Sequence, residues 1–172
     1  MIERQRGRVE LMDHPEAPTL ALAHSLADMR QMNWALGWHR PTIRAVQSLL
    51  APGEPCTVLD VATGSGDLPL ALHRALTHQG YAPRVIASDM HPTVVALARR
   101  HTASRGLILL LQHDANRPPF LPQAVDVVTC ASALHHFDEE EAVAFLAACR
   151  SLVRRGLVVA DVSRSALGLG VV

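Results

Sequence analysis

The sequence is short of several things, and each shortage closes off a class of function. Only 3% of its 172 residues are aromatic, and 16 Lys+Arg balance 16 Asp+Glu to a net charge of zero. That balance offers no general electrostatic grip on nucleic acid or on anionic lipid. Cysteine is sparse: Cys56, Cys130 and Cys149 are isolated, odd in number and without C-x-x-C spacing. Neither a disulfide framework nor a zinc site is indicated. The ten histidines form neither H-x-x-x-H nor H-E-x-x-H, so no metal site is expected. The longest apolar run, 142–149, is far too short to span a bilayer, and Met1-Ile2-Glu3-Arg4 lacks the apolar stretch of a signal peptide. A cytoplasmic protein with no membrane and no nucleic-acid partner is the expectation.

What is present is an ordinary globular composition, 49% hydrophobic and 19% charged, in a chain long enough for one core. Its organising stretch is Val58-Leu59-Asp60-Val61-Ala62-Thr63-Gly64-Ser65-Gly66-Asp67-Leu68. A short apolar run reads as a buried strand, breaks at the glycines, and resumes as a helix through Leu68, Leu72 and Leu76. Strand, glycine turn and helix in that order put backbone N–H groups at the carboxyl edge of a sheet, where open α/β folds bind nucleotides. A dinucleotide fingerprint would carry a third glycine, and Pro69 stands in its place.

Residues 1–52 carry no strand signal. Helical spacing over 20–36 and again through Ile43, Val46, Leu49 and Leu50 predicts a helical cap over the strand ends. The turn-rich 51–55 leads into an α/β domain expected over 53–172. There strands are predicted at 84–88, 107–112, 125–131 and 157–160 besides the first, with helices from Pro92 and from Asp138. Asp138 and Glu141 make a capping box, and Gly156 is expected to stop that helix. The order implies a doubly wound, mostly parallel sheet.

The D-x-A-x-G-x-G-D-L pattern resembles motif I of the class I S-adenosylmethionine-dependent methyltransferases, closest to the small-molecule branch that includes quinone-biosynthesis and polyketide-associated enzymes. There alanine commonly takes the first glycine's place, as Ala62 does here. The 126–137 segment, ending Leu134-His135-His136, resembles motif IV of the same class. The resemblance runs from Glu10-Leu11-Met12-Asp13 through the fifth strand. It implies a Rossmann-like sheet whose family has seven strands, the sixth and seventh missing here, so that the chain looks cut short. An exposed fifth strand would then invite pairing with a second copy, a possible homodimer.

By resemblance, S-adenosyl-L-methionine would be held by Asp60, Ala62, Gly64, Gly66, Asp67, Asp89, Met90, Asp114, Ala115 and Ala131. Asp89 would take the ribose diol, Met90 the adenine face and Asp114 the adenine amino group. Each has a plain structural alternative. Asp89 would cap the Pro92 helix, Asp114 would start an Asx-turn, Asp60 would satisfy backbone N–H groups of the turn, and Asp67 would cap the helix after it. Arg30 and Asn33 match an R-x-x-N pattern that, in related enzymes, lies near the cofactor's carboxylate. Trp34 and Trp38 share a helix face if the helix survives Gly37, either packed in the core or walling an aromatic acceptor. His135 or His136 is the candidate base for an acceptor hydroxyl, the alternative being a loop histidine that caps strand and helix ends.

The implied function is methyl transfer to oxygen or carbon of a small acceptor, a phenol, quinone or polyketide. A cofactor-binding domain without turnover is the alternative. An NAD(P)-dependent reductase is weakened by Pro69 and by the lack of a Ser/Tyr/Lys set. Nucleic-acid methylation is disfavoured because Cys130-Ala131-Ser132-Ala133 stands where an [N/D]-P-P-[Y/F] tetrad would be needed.

Overall fold

In the computed structural model, residues 14, 16–103 and 106–161 are described. The Glu10-Leu11-Met12-Asp13 segment and the loop following the fifth strand lie outside them. Two helices, α1 (Thr19–Leu36) and α2 (His39–Leu49), precede an alternation of β1 (Pro55–Val61), α3 (Asp67–His78), β2 (Ala82–Asp89), α4 (Pro92–Thr102) and β3 (Ile108–Gln112). Then come β4 (Val125–Ala131), a 3-10 turn (Leu134–His136), α5 (Glu139–Leu152) and β5 (Val153–Ala160).

The sheet has the order β3-β2-β1-β4-β5, and every pairing is parallel. After β3 the chain crosses back over β2 and β1 to reach β4, which makes β1 and β4 the point where the winding reverses. Ligands of open α/β sheets bind outside the carboxyl ends of such a pair. Apolar layers cover both faces. On β1 and β4, successive residues point to opposite sides. Val58 and Val127 join α2 and α3 residues (Val46, Leu68, Leu72). Leu59 and Val128 join the α5 side chains Phe145, Cys149 and Leu152. Cys56, Cys130 and Cys149 are all buried, and burial pushes the Cys130 and Cys149 thiols far up, so they are inert core groups.

At several points the structure departs from the sequence expectations or their alternatives. Helix α5 begins with the expected capping box but ends at Leu152, and β5 starts at the next residue. Gly156 is therefore a strand residue, and a Cβ there would lie 2.7 Å from Leu49 Cδ1 of α2, so a larger residue would have to displace that side chain. Helix α4 is capped by His91, whose Nδ1 accepts from the Thr93 amide, and not by Asp89. Helix α1 does not pass Gly37. That residue adopts φ +62°, while the Trp38 and Gly37 amides close back onto the carbonyls of Asn33 and Trp34, a Schellman stop. Trp34 and Trp38 consequently share no helix face. Of the apolar residues at helical spacing over 20–36, Leu22 and Leu26 are buried, whereas Met32 and Leu36 stand in solvent.

Candidate active site

A cleft of about 740 Å³ opens at the carboxyl ends of β1 and β4. Its floor is the glycine turn, its far wall the loop after β2, and its near wall the 3-10 turn with the start of α5. Helices α1 and α2 contribute Leu26, Met29, Asn33, Trp38 and His39. Of the residues singled out in the sequence, Asp60, Ala62, Gly64, Asp67, Asp89, Met90, Ala131 and His136 line this cleft; Gly66, Arg30, Asp114, Ala115 and His135 do not.

The glycine turn is built from left-handed backbone: Ala62, Gly64 and Gly66 have φ of 53°, 54° and 75°. Gly66 serves packing, because a Cβ there would stand 3.0 Å from Thr102 Cγ2 of α4. Ser132, just past β4, has φ 54°. Two non-glycine residues in this region flank one cleft, and each costs of order 1–3 kcal/mol, which the surrounding packing has to offset.

Four carboxylates line the cleft: Glu141 is engaged in the α5 capping box, and the other three are in different electrostatic states. Asp60 is almost wholly buried, 2% exposed, and accepts from Thr129 Oγ1 at 2.6 Å. Burial outweighs that bond and pushes its carboxyl up to about 7. Asp60 thus holds a β4 hydroxyl, where the alternative reading had it bound to amides of the turn. For Asp67 burial acts in the same direction, but its hydrogen bonds win. Ser65 Oγ donates to Oδ1 at 2.6 Å, and Asn33 Nδ2 and His39 Nε2 reach Oδ2 at 3.1 and 2.7 Å. Together they hold Asp67 well below the usual carboxylate range. Asp67 is not the helix cap: it is the first residue of α3 and ties the two N-terminal helices to the glycine turn. Asp89 is raised by burial, against hydrogen bonds from the His91 and Gly64 amides at 3.0 and 3.2 Å. A carboxylate has more acceptor positions than those two amides use.

This arrangement selects the charge of its ligand. A pyrophosphate would have to sit at the N-terminus of α3, which the ionised Asp67 already occupies. A cationic ligand with hydroxyls and no phosphate meets complementary groups instead. A sulfonium nucleoside has that chemistry.

On the opposite wall the two adjacent histidines divide. His136 lines the cleft. His135 turns away and is gripped by Asp161 at the end of β5, whose Oδ2 accepts from the His135 amide at 3.0 Å and whose Oδ1 lies 2.7 Å from Nδ1. A carboxylate only accepts, so Nδ1 carries the proton in that contact. The two imidazoles lie against each other with centroids 4.2 Å apart at 35°. Phe137 also lines the cleft and stacks on Phe145 of the core at 4.8 Å.

Asp114 is exposed, and its Oδ1 accepts from the Asn116 amide at 2.9 Å, the Asx-turn alternative. Ala115 packs against the core. Arg30 lies near His101, whose pKa burial and then the Arg30 charge hold down. Sequence reasoning missed His39, a lone histidine in no motif, and the pairing of Asp161 with His135. Among the described residues no cluster of His, Cys, Asp and Glu is arranged to hold a metal ion.

A family model described as a methyltransferase domain matches residues 58–156. A demethylmenaquinone methyltransferase of Thermus thermophilus is 38% identical over 107 residues, 62% of this chain and 45% of that protein. A ubiquinone/menaquinone biosynthesis C-methyltransferase of Stenotrophomonas maltophilia is 28% identical over 118 residues, covering 67% of this chain and 44% of its own. The chain spans less than half the length of these two relatives. A solved S-adenosylmethionine-dependent methyltransferase from Aquifex aeolicus shares the fold, with a TM-score of 0.59 at 24% identity over 72% of this chain and 65% of that one.

Proposed function

This chain belongs to the class I S-adenosylmethionine-dependent methyltransferases, and on that footing we propose that it methylates oxygen or carbon of a small hydroxylated aromatic acceptor of the quinol type. The observation that carries the reading is one cleft with a phosphate-excluding acidic side at the glycine turn and, opposite it, apolar walls that hold a histidine beside Glu141. The names of the related quinone methyltransferases point to the same acceptor class.

The acidic half supplies the cofactor's partners. Gly64 admits close backbone approach, Asp89 has acceptor positions left for a ribose diol, and Met90 offers an apolar face. When bound, S-adenosylmethionine supplies an electrophilic sulfonium methyl. The chain's own work is positioning and one proton transfer. Met29, Trp38 and Phe137 give the apolar walls between which a flat ring is oriented and water excluded. His136 takes the acceptor's hydroxyl proton onto an imidazole nitrogen, leaving an oxyanion whose charge spreads to the ring carbon, so either atom becomes the nucleophile. His135, held by Asp161, braces the His136 ring.

Calorimetric titration with S-adenosylhomocysteine, with NADH in parallel, tests the cofactor half. Micromolar binding of the first, lost in Asp89→Ala and absent for NADH, is expected; binding of NADH alone would overturn the reading. Mass spectrometry of a hydroxynaphthoquinol incubated with S-adenosylmethionine tests the acceptor half, through the mass of one added methylene. Binding without any such product would leave a cofactor-binding domain without turnover.

A further inference from the structure

Ser132 occupies a backbone position that does not suit it. Its φ of 54° lies in the left-handed region, where a Cβ is crowded and glycine or asparagine is the favoured residue. It is held there by its own amide, which donates to the Ala160 carbonyl at the end of β5 at 2.8 Å. Strain kept by a non-glycine residue beside a cleft points to a side chain that is needed. Ala62 carries the same strain with only a methyl group, so strain alone does not single out Ser132. Its hydroxyl does. Three hydroxyl-bearing residues line the cleft, Thr63, Ser65 and Ser132. Ser65 Oγ donates to Asp67, and Thr63 Oγ1 is covered. Among the described residues Ser132 Oγ has no hydrogen-bond partner, yet it is not one of the buried polar atoms, so it stands open. It lies between the end of β4 and the 3-10 turn, on the wall that carries His136 and Phe137.

We propose that Ser132 Oγ donates a hydrogen bond to the acceptor oxygen from which His136 takes the proton, a catalytic role that rests on the methyl-transfer reading above. Removal of that proton leaves negative charge on the acceptor oxygen, which then needs a donor. Glu141, on the same wall, cannot serve: a carboxylate only accepts, and one of its oxygens already holds the Asp138 amide at 3.0 Å. The Ser132 amide is taken by Ala160, which leaves the hydroxyl. A donor fixed in advance on a braced turn needs no reorganisation as the charge develops, and such donors count for most in a cleft that excludes water. Serine keeps its own proton throughout; it shares it with the oxyanion and transfers nothing. Donor and base come from one short segment, 132–136, so the left-handed turn out of β4 places both at once.

The probe is 4-nitro-1-naphthol, a flat phenol whose phenolate absorbs visible light, so that ionisation is read without turnover. The full chain, saturated with S-adenosylhomocysteine, is titrated with the dye across pH as parent, Ser132→Ala, Ser132→Gly and Ser132→Asn. Bound to the parent, the dye should ionise about one pH unit or more lower than when bound to the alanine or glycine variant, the size expected of one hydrogen bond to a charged oxygen. Asparagine tolerates the left-handed position and carries N–H donors, so it should recover part of that shift. Affinity for S-adenosylhomocysteine should be the same in all four, and Ser132→Gly should melt at or above the parent, because it relieves the strain. With a hydroxynaphthoquinol, kcat of the alanine and glycine variants should fall at least about tenfold. A parent that does not bind the dye, or that ionises it as Ser132→Ala does, would overturn the proposal. So would a glycine variant melting several degrees below the parent, which would make the side chain structural, or a loss of S-adenosylhomocysteine affinity with the dye unaffected, which would put the hydroxyl in the cofactor half. A parent that takes up no S-adenosylhomocysteine ends the methyl-transfer reading and this proposal together, a result distinct from each of those.

Discussion

Asp60 makes this fold lose stability as pH rises, and Asp60→Asn should remove that loss. The carboxyl is buried and raised from 3.8 to about 7, so between those values the folded state holds a proton that the unfolded chain has released. Stability is therefore full below the unfolded pKa and falls as pH climbs towards the folded one. Three pKa units correspond to about 4 kcal/mol in total. By the same linkage about 2 kcal/mol is already spent at pH 5, leaving a loss of about 2–3 kcal/mol between pH 5 and pH 8. Asparagine keeps an Oδ1 to accept from Thr129 Oγ1 and has no charge to desolvate. Whatever fixed cost seating the amide carries is the same at both pH values, so the change in the difference is the measured quantity. Thermal unfolding of parent and variant at pH 5 and pH 8 reads it. The gap in Tm should move by about 5–10 °C in favour of the variant at pH 8, at 2–4 °C per kcal/mol for a chain of this size. A gap that stays constant across pH refutes the account of Asp60.

Other substitutions test other parts of the structure. Phe145→Ala removes a 1%-exposed ring that supports Phe137, and should cost about 3–5 kcal/mol in urea unfolding; a loss under about 1 kcal/mol would show that the α5 layer closes over the gap. Ala62→Gly relieves a left-handed alanine, and should leave the fold unchanged or stabilised by up to about 1 kcal/mol, the reverse of an ordinary Ala→Gly change. A clear loss in chemical denaturation would contradict the positive φ. For the proposed base, His136→Ala should lower kcat by about 100-fold or more with S-adenosylhomocysteine affinity intact. Asp161→Asn should lower kcat in the same direction but less, with KM held, because Asp161 acts on the proposed base through His135. A rise in KM at constant kcat would instead give Asp161 a structural role.

The elements were legible because their signals are local. Apolar runs closed by Asp89 and Ala131, the glycine turn and the Asp138–Glu141 capping box all act over a few neighbouring residues and survive in the structure. The parallel order followed from the alternation of strands and helices, and with it the placing of Gly64 and Asp89 at one sheet edge. The end of α5 was not legible, since Leu152 gives way to β5 through pairing with β4 and not through Gly156. Nor could sequence say which tryptophan would meet the cleft. The Schellman stop at Gly37 sends Trp34 outward while Trp38 turns in, so each has surroundings that its four-residue spacing did not announce. The pairs that define the candidate site lie far apart along the chain: Asn33 and His39 with Asp67, Thr129 with Asp60, Asp161 with His135. Propensity and periodicity reach only a turn or two, so residue types and secondary structure could be read from the sequence alone. Which carboxylate holds a proton, which is held ionised, and which histidine faces the ligand were decided by burial and by partners that only the packed sheet brings together.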